Sequence, residues 1–258
     1  MIILEKVREF LKANDWMDPD SIETDRKKGL LAPEPYKRIP EDGKIIDLPS
    51  PKNLDFGQMP LIKAIVKRRS HRKYVTKESI SLEELSFLLY ITQGLAERRK
   101  SNSSPIYGNR FRNVASGGNK HPFETYLVIF RVTGLKNGLY RYLPVEHKLL
   151  VIEKTVTKEE VIQAYNGRKF IGDAAIVFIW STIPYRTYYS YGSTTPKIIA
   201  QDSGHLCQNL YLACTSIGLG MVAIGAYHQD RMDQLINVDG QDEFVVYVAP
   251  IGRITEKR

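Results

Sequence analysis

Apolar residues recur along this chain with two different periods, and the switches between them mark out helices and strands. Ile3, Leu4, Val7, Phe10 and Leu11 follow the three-to-four spacing of one helix face, which predicts a helix over 3–13. From Pro33 to Pro60 that order is lost. Six prolines and several polar turn residues predict an extended arm that wraps the domain or a partner subunit. Order returns at Ser81-Leu82-Glu83-Glu84, a capping box in which the serine accepts from the third helical N–H and Glu84 reaches back to the serine N–H. The helix it opens runs through Leu82, Leu85, Leu88 and Leu89 and stops at Gly94. The charged stretch from 97 to 112 has neither period and reads either as a lid over a site or as a disordered loop.

Strand-like patterns occupy Thr125 to Phe130, Leu139 to Tyr142, Leu149 to Ile152, Ala174 to Trp180 and Val245 to Ala249. The run 174–180 is apolar without alternation and rich in β-branched and aromatic residues, so it predicts a central strand covered on both faces. A second capping box, Thr157 to Glu160, opens a short helix that stops near Asn166-Gly167. Thr195-Pro196 supplies an N-cap and a first-turn proline for a long helix reaching Ile217. On that helix Leu206, Leu210, Ala213 and Ile217 form one apolar stripe, and Cys207, Tyr211 and Cys214 a neighbouring one, as in a core or dimer-interface helix. Strands joined by both hairpin and crossover spacings predict an α+β layered fold. The expected division is an N-terminal helix and arm over 1–58 and one domain carrying the chemistry over 59–258.

Composition narrows the function classes. A chain of 258 residues is long enough to bury a sizeable core. Its net charge of +8 permits nucleic-acid binding, but the basic residues are scattered and no helix-turn-helix, RNA-binding or zinc-finger signature appears. Phosphorylated small molecules account for the charge as well, and no nucleic-acid partner is expected. The longest apolar runs fall far short of a bilayer span and the first residues lack a signal-peptide pattern, so a soluble, cytoplasmic protein without a membrane partner is expected. Cys207 and Cys214 lie two helical turns apart, about 10 Å along the axis, which excludes a disulfide and predicts buried, reduced thiols. No Cys/His cluster has zinc spacing, and no metal is expected.

Candidate chemistry sits in four short stretches. Arg68-Arg69-Ser70-His71-Arg72 concentrates cationic and hydrogen-bonding groups after the apolar residues Leu61, Ile62, Ile65 and Val66, and suits a phosphate. In Ala115-Ser116-Gly117-Gly118-Asn119, adjacent glycines let the backbone approach a ligand while Ser116 and Asn119 add short polar groups. Gly218 to Tyr227 reads as a helix stop, a short buried strand and a small-residue turn whose N–H groups are left free to face a planar ring. Ile251-Gly252-Arg253 adds one more guanidinium near the chain end. There is no nucleophile elbow, no paired-carboxylate motif and no phosphate loop of the Walker type.

From about Pro60 to Arg253 the chain resembles the FMN-dependent nitroreductase superfamily, most closely its thiazoline/oxazoline dehydrogenase-like branch. The resemblance rests on Arg-Arg-Ser-x-Arg at 68–72, Ser-Gly-Gly-Asn-x-His-Pro at 116–122, Gly-Leu-Tyr-x-Tyr at 138–142 and Gly-His-x-x-Gln-Asn-Leu at 204–210. Gly-Leu-Gly at 218–220 and Gly-Arg at 252–253 complete it. It implies a mixed, mainly antiparallel sheet flanked by helices, and a homodimer with FMN at the subunit interface. Arg68, Arg69 and Ser70 would then hold the FMN phosphate and ribityl chain, with Arg72 in support and Arg253 closing over the phosphate. Ser116, Gly117 and Asn119 would come from the partner subunit. Ile224, Gly225 and Ala226 would present main-chain N–H toward flavin N5, and a basic rim with Gly225 and Ala226 would stabilise the reduced ring.

The resemblance implies hydride transfer from NADH or NADPH through the flavin to a small organic acceptor. Azoline-oxidising relatives carry a Lys-Tyr pair where this chain has Ser190-Tyr191, and a serine cannot do a lysine's acid-base work. Tyr191 remains a candidate to bind or protonate a substrate, or else a packing residue. His205 is read either as a satisfied structural histidine or as a catalytic one. A nitroreductase-like flavin oxidoreductase is the favoured reading, with azoline dehydrogenase or a non-enzymatic FMN-binding protein as alternatives.

Overall fold

The computed structural model describes residues 2–18, 20–51, 55–96 and 111–255. The lid-or-loop stretch 97–112 therefore lies outside the described residues but for its last two. The chain builds a seven-stranded sheet in the order β1-β4-β3-β2-β5-β7-β6. The strands are β1 (Ile45–Asp47), β2 (Phe123–Ile129), β3 (Gly138–Leu143), β4 (Lys148–Ile152), β5 (Ile176–Thr182), β6 (Leu219–Met221) and β7 (Phe244–Arg253). Every ladder between these strands is antiparallel. Among the described residues, parallel pairing is limited to the isolated bridges Ser70–Met221 and Ile80–Val132.

β5 explains why its sequence shows no alternation. Successive side chains leave opposite faces of a strand; Ile176, Phe178 and Trp180 enter one core, while Val177 and Ile179 enter the other. The first core is closed by α3 (Leu82–Gln93) and α6 (Thr195–Ser216), the second by α4 (Lys158–Ala164) and α7 (Gln229–Leu235). With both faces covered, every position of β5 is buried. Each large apolar side chain buried this way contributes about 1.5–3 kcal/mol.

Both capping boxes form as the sequence predicts. Ser81 and Glu84 exchange bonds at the start of α3, and Thr157 and Glu160 do so at α4. The long helix begins one residue earlier than its cap was placed: Thr194 is the N-cap, Thr195 is already helical, and the Thr194 hydroxyl donates to Tyr191 O at 2.7 Å instead of capping. Cys207 and Cys214 are buried and free on α6, and burial pushes the Cys207 thiol up to about 12. Of the four helices of seven residues, α4 is announced by its capping box, whereas α2 (Leu61–Lys67), α5 (Tyr185–Tyr191) and α7, along with β1, are too short to leave a full periodic signal.

The N-terminal helix α1 (Ile2–Leu11) leads into an arm that packs along its own chain. Arg141 Nη2 donates to Arg38 O at 2.8 Å, Lys37 pairs with Glu243, and Ser86 Oγ donates to Pro49 O at 2.6 Å. β1 of the arm then pairs with β4. Among the described residues no helix is long and apolar enough to cross a membrane.

Candidate active site

Two polar clusters hang from α6, one near each end. At its C-terminal half, Tyr211 joins three separate segments. Its hydroxyl lies 2.9 Å from Ser70 Oγ and accepts from Ala223 N at 2.8 Å, and its ring carries the Arg68 guanidinium at 5.1 Å from the centroid. A cation over an aromatic face is held electrostatically without using its hydrogen-bond donors. Ser70 bridges to Met221 of β6, and His71 N donates to Met221 O at 2.8 Å. Arg69, Ser70 and Arg72 are exposed and Arg68 is half-buried. Beyond β6, Gly225 and Ala226 are also exposed, and among the described residues neither N–H finds an acceptor.

At the N-terminal half, Asp202 holds the turn Ser116–Asn119. Ser116 Oγ donates to its carboxylate at 2.7 Å, and Gly117 N donates to both carboxylate oxygens at 3.1 and 3.0 Å. Ser116 Oγ also accepts from His121 N at 2.9 Å. Burial raises the Asp202 carboxyl above the usual carboxylate range, against the opposing pull of the Ser116 and Gly117 donors and of His205, whose Nδ1 lies 3.8 Å away. His121 Nε2 meets Asn119 Oδ1 at 2.7 Å, so the neutral ring carries its proton on Nε2. Burial, with the Arg112 guanidinium adding to it, lowers the His121 pKa to about 3. Gly118 is left-handed, with φ of 55°, and a Cβ there would meet Tyr191 Oη at 2.2 Å. A glycine is therefore required on both counts.

Residues 65–253 match the Nitroreductase family. The chain belongs to that family. It is 30% identical over 202 residues to a protein of Methanocaldococcus jannaschii provisionally named a nitroreductase, spanning 78% of this chain and 95% of that one. It is 25% identical over 177 residues to the trifolitoxin-processing protein TfxB of Rhizobium leguminosarum bv. trifolii, covering 66% of this chain and 46% of TfxB. A crystal structure from Anabaena variabilis ATCC 29413, also provisionally named a nitroreductase, superposes with a TM-score of 0.60 at 27% identity over 76% of this chain. This chain spans only 38% of that protein. The nitroreductase family identifies an oxidoreductase and the layered α+β fold expected from the sequence.

Set against the nitroreductase expectations, the structure gathers Arg68, Ser70 and Ala223, which leads into the 224–226 turn, around Tyr211, while Arg69 Nη1 donates to Val66 O and Arg68 O at 2.8 Å each. It gathers Ser116 and Gly117 around Asp202, with Asn119 in the same turn and Tyr191 against Gly118. Two residues are used differently from what the motifs imply. Ile224 N donates to Val248 O at 2.8 Å, so only Gly225 and Ala226 keep open N–H groups. Arg253 Nη2 donates to Glu84 Oε2 at 2.7 Å and its Nε to Ser79 O at 3.3 Å, which ties its guanidinium to the start of α3. Tyr211 and Asp202 were missed as organisers. Asp202 had a signal, since it is the lone carboxylate in an otherwise apolar and neutral stretch of α6.

Proposed function

We propose that this nitroreductase-family chain binds FMN and passes hydride from NADH or NADPH to a small organic acceptor, as a cytoplasmic homodimer. The observation that carries the reading is the donor set on the two segments that Tyr211 joins: exposed Arg69, Ser70 and Arg72 beside a ring-stacked Arg68, and, past Ala223, the N–H groups of Gly225 and Ala226 without an acceptor among the described residues. These groups fit the cofactor's chemistry. Guanidinium forks and a hydroxyl suit a phosphate, and backbone donors beside an exposed glycine suit the edge of a planar ring. When bound, FMN would supply the hydride-accepting and hydride-donating centre. The protein's own part is to grip the phosphate through Arg68, Arg69, Ser70 and Arg72, with Arg253 at the end of the neighbouring strand β7. Gly225 and Ala226 would hold negative charge on the ring.

The dimer reading is supported by spacing along α6. Asp202 and Tyr211 are nine residues apart, so the two clusters of one chain are separated by about 13 Å of helix rise. In the proposed homodimer, Ser116, Gly117 and Asn119 of a second copy would supply the part of the site that these arginines do not reach within one chain. The apolar face of α2, Leu61, Ile62, Ile65 and Val66, is exposed in the single chain and suits such an interface. The division into an arm over 1–58 and an FMN domain over 59–258 belongs to the same reading.

A second reading, azoline oxidation on a peptide, is favoured by the similarity to TfxB. The Ser190 hydroxyl, at the position where a lysine is expected, is buried without a hydrogen-bond partner among the described residues and offers no acid-base group. Anaerobic stopped-flow mixing of the purified, flavin-loaded protein with NADH and NADPH separates the two. Rapid bleaching of the yellow chromophore is expected, and its absence with both nucleotides would overturn the reductase in favour of the second reading or of an FMN-binding protein without turnover.

A further inference from the structure

We propose that the arm over residues 16–38 is a working part of the active site and that Trp16 is a positioning residue for Tyr191. This rests on the reading of Tyr191 as a group on the substrate side of the flavin. The family match begins at residue 65, so these residues precede it.

α5, which ends in Tyr191, has only seven residues, too few to hold a helix by itself. The arm bonds it at successive positions. Tyr185 Oη donates to Asp25 Oδ2 at 3.0 Å, Arg186 Nε donates to Glu34 O at 3.1 Å, and Tyr189 Oη donates to Leu30 O at 2.9 Å. Arg26 N donates to Tyr189 O at 2.9 Å, satisfying one of the carbonyls that a helix leaves open in its last turn. The residue after Tyr191 is Gly192, with φ of 50°, and a Cβ there would lie 2.5 Å from Glu23 O. The arm backbone thus passes against the end of α5 at a distance only glycine permits. Trp16 then sets its ring edge-on to Tyr191, with centroids 5.9 Å apart and an interplanar angle of 66°.

On its other side Tyr191 Oη occupies the space a side chain at 118 would need. Arm, Trp16, Tyr191 and the Ser116–Asn119 turn therefore form one contiguous stack. None of the residues around Tyr211 belongs to it. Loosening the arm should displace Tyr191 and leave the phosphate grip intact.

The test compares Trp16→Ala, Trp16→Phe and Tyr191→Phe in the full chain. Trp16 is 40% exposed, so its truncation opens no core cavity. For Trp16→Ala, FMN affinity by fluorescence titration should stay within about twofold while kcat/KM for the acceptor falls about tenfold or more, with rescue to within about threefold by Trp16→Phe. In the apo protein, Trp16→Phe and Tyr191→Phe should remove the same near-ultraviolet circular-dichroism band, a readout that needs neither FMN nor turnover. Unchanged kcat/KM in Trp16→Ala, no rescue by the ring of Phe, or unrelated circular-dichroism changes in the two Phe variants would overturn the positioning role. If the wild type fails to bleach with nucleotide, the reductase reading fails, and the circular-dichroism comparison still decides whether Trp16 and Tyr191 act as a pair. Gly192→Ala, which pushes on Glu23 O, should lower kcat/KM in the same direction without changing FMN affinity; a loss of FMN affinity instead would count against the separation of the two halves.

Discussion

The two clusters on α6 use polar groups in opposite ways. Around Tyr211, Arg68 lies over the ring, the exposed Arg69 spends one guanidinium nitrogen on the Val66 and Arg68 carbonyls, and the N–H groups of Gly225 and Ala226 have no acceptor among the described residues. Around Asp202, the hydroxyl of Ser116, the N–H of Gly117 and the amide of Asn119 are all engaged within the chain. Unsatisfied donors are costly to bury and cheap to offer to a ligand, whereas satisfied ones fix a shape. On the proposed reading the first cluster binds and the second presents a surface. A single motif-based assignment of both as cofactor ligands hides that difference.

The sharpest way to break the comparison is to remove Asp202. Asp202→Ala leaves the half-buried Ser116 hydroxyl and Gly117 N–H without their acceptor, which should cost on the order of 2–3 kcal/mol of stability. Urea denaturation measures it. FMN affinity per folded molecule should change far less than stability; the reverse ordering would make Asp202 part of the binding half.

Acid should separate the halves next. The folded-state pKa of His121 lies near 3, below its ordinary 6.5, so the folded state prefers the neutral ring. The resulting stability is complete above pH 6.5 and is lost as pH falls toward 3, amounting to roughly 3 kcal/mol by pH 4. Denaturation midpoints between pH 7 and pH 4 should fall in the wild type and flatten in His121→Asn, which keeps a residue tolerant of the left-handed backbone at φ of 46°. An identical slope in the two proteins would mean that other groups govern the acid limb.

Much of this was legible along the chain, and the rest was hidden for definable reasons. The capping boxes, the continuous run that became β5 and the two stripes of α6 are local signals, written within one or two turns of backbone. Tyr211 stood in an apolar stripe and read as packing, because the partners of its hydroxyl, Ser70 and Ala223, lie 141 and 12 residues away. Ile224 looked like one of three open N–H groups because the ladder that consumes its N–H comes from Val248 on β7. Arg253 sat in a phosphate-like motif, yet its ion pair with Glu84 depends on where α3 begins. α5 showed no period at all, since its stability comes from the arm.

On the binding side, Arg68→Ala removes a guanidinium held over Tyr211 and should weaken FMN by about 1.5–3 kcal/mol, through a lost charge-assisted bond, while leaving thermal stability nearly unchanged. Fluorescence titration with FMN checks the first half and a melting curve the second. Unchanged flavin retention would take Arg68 out of the site. A large fall in melting temperature would instead give it a structural role like that of Asp202 and erase the contrast between the clusters.

The smallest effect on stability belongs to Tyr191→Phe, and it divides the presenting half most finely. The ring would keep its edge contact with Trp16 and its place over Gly118, so stability should move by less than about 1 kcal/mol. Only the hydroxyl is lost. If that hydroxyl holds or protonates an acceptor, kcat/KM should drop for acceptors that need a proton at the reacting atom and stay level for those that take hydride alone. If it merely fills the space beside Gly118, every acceptor should be turned over at the wild-type rate, and Tyr191 would then join Asp202 as a residue that shapes the surface without touching the chemistry.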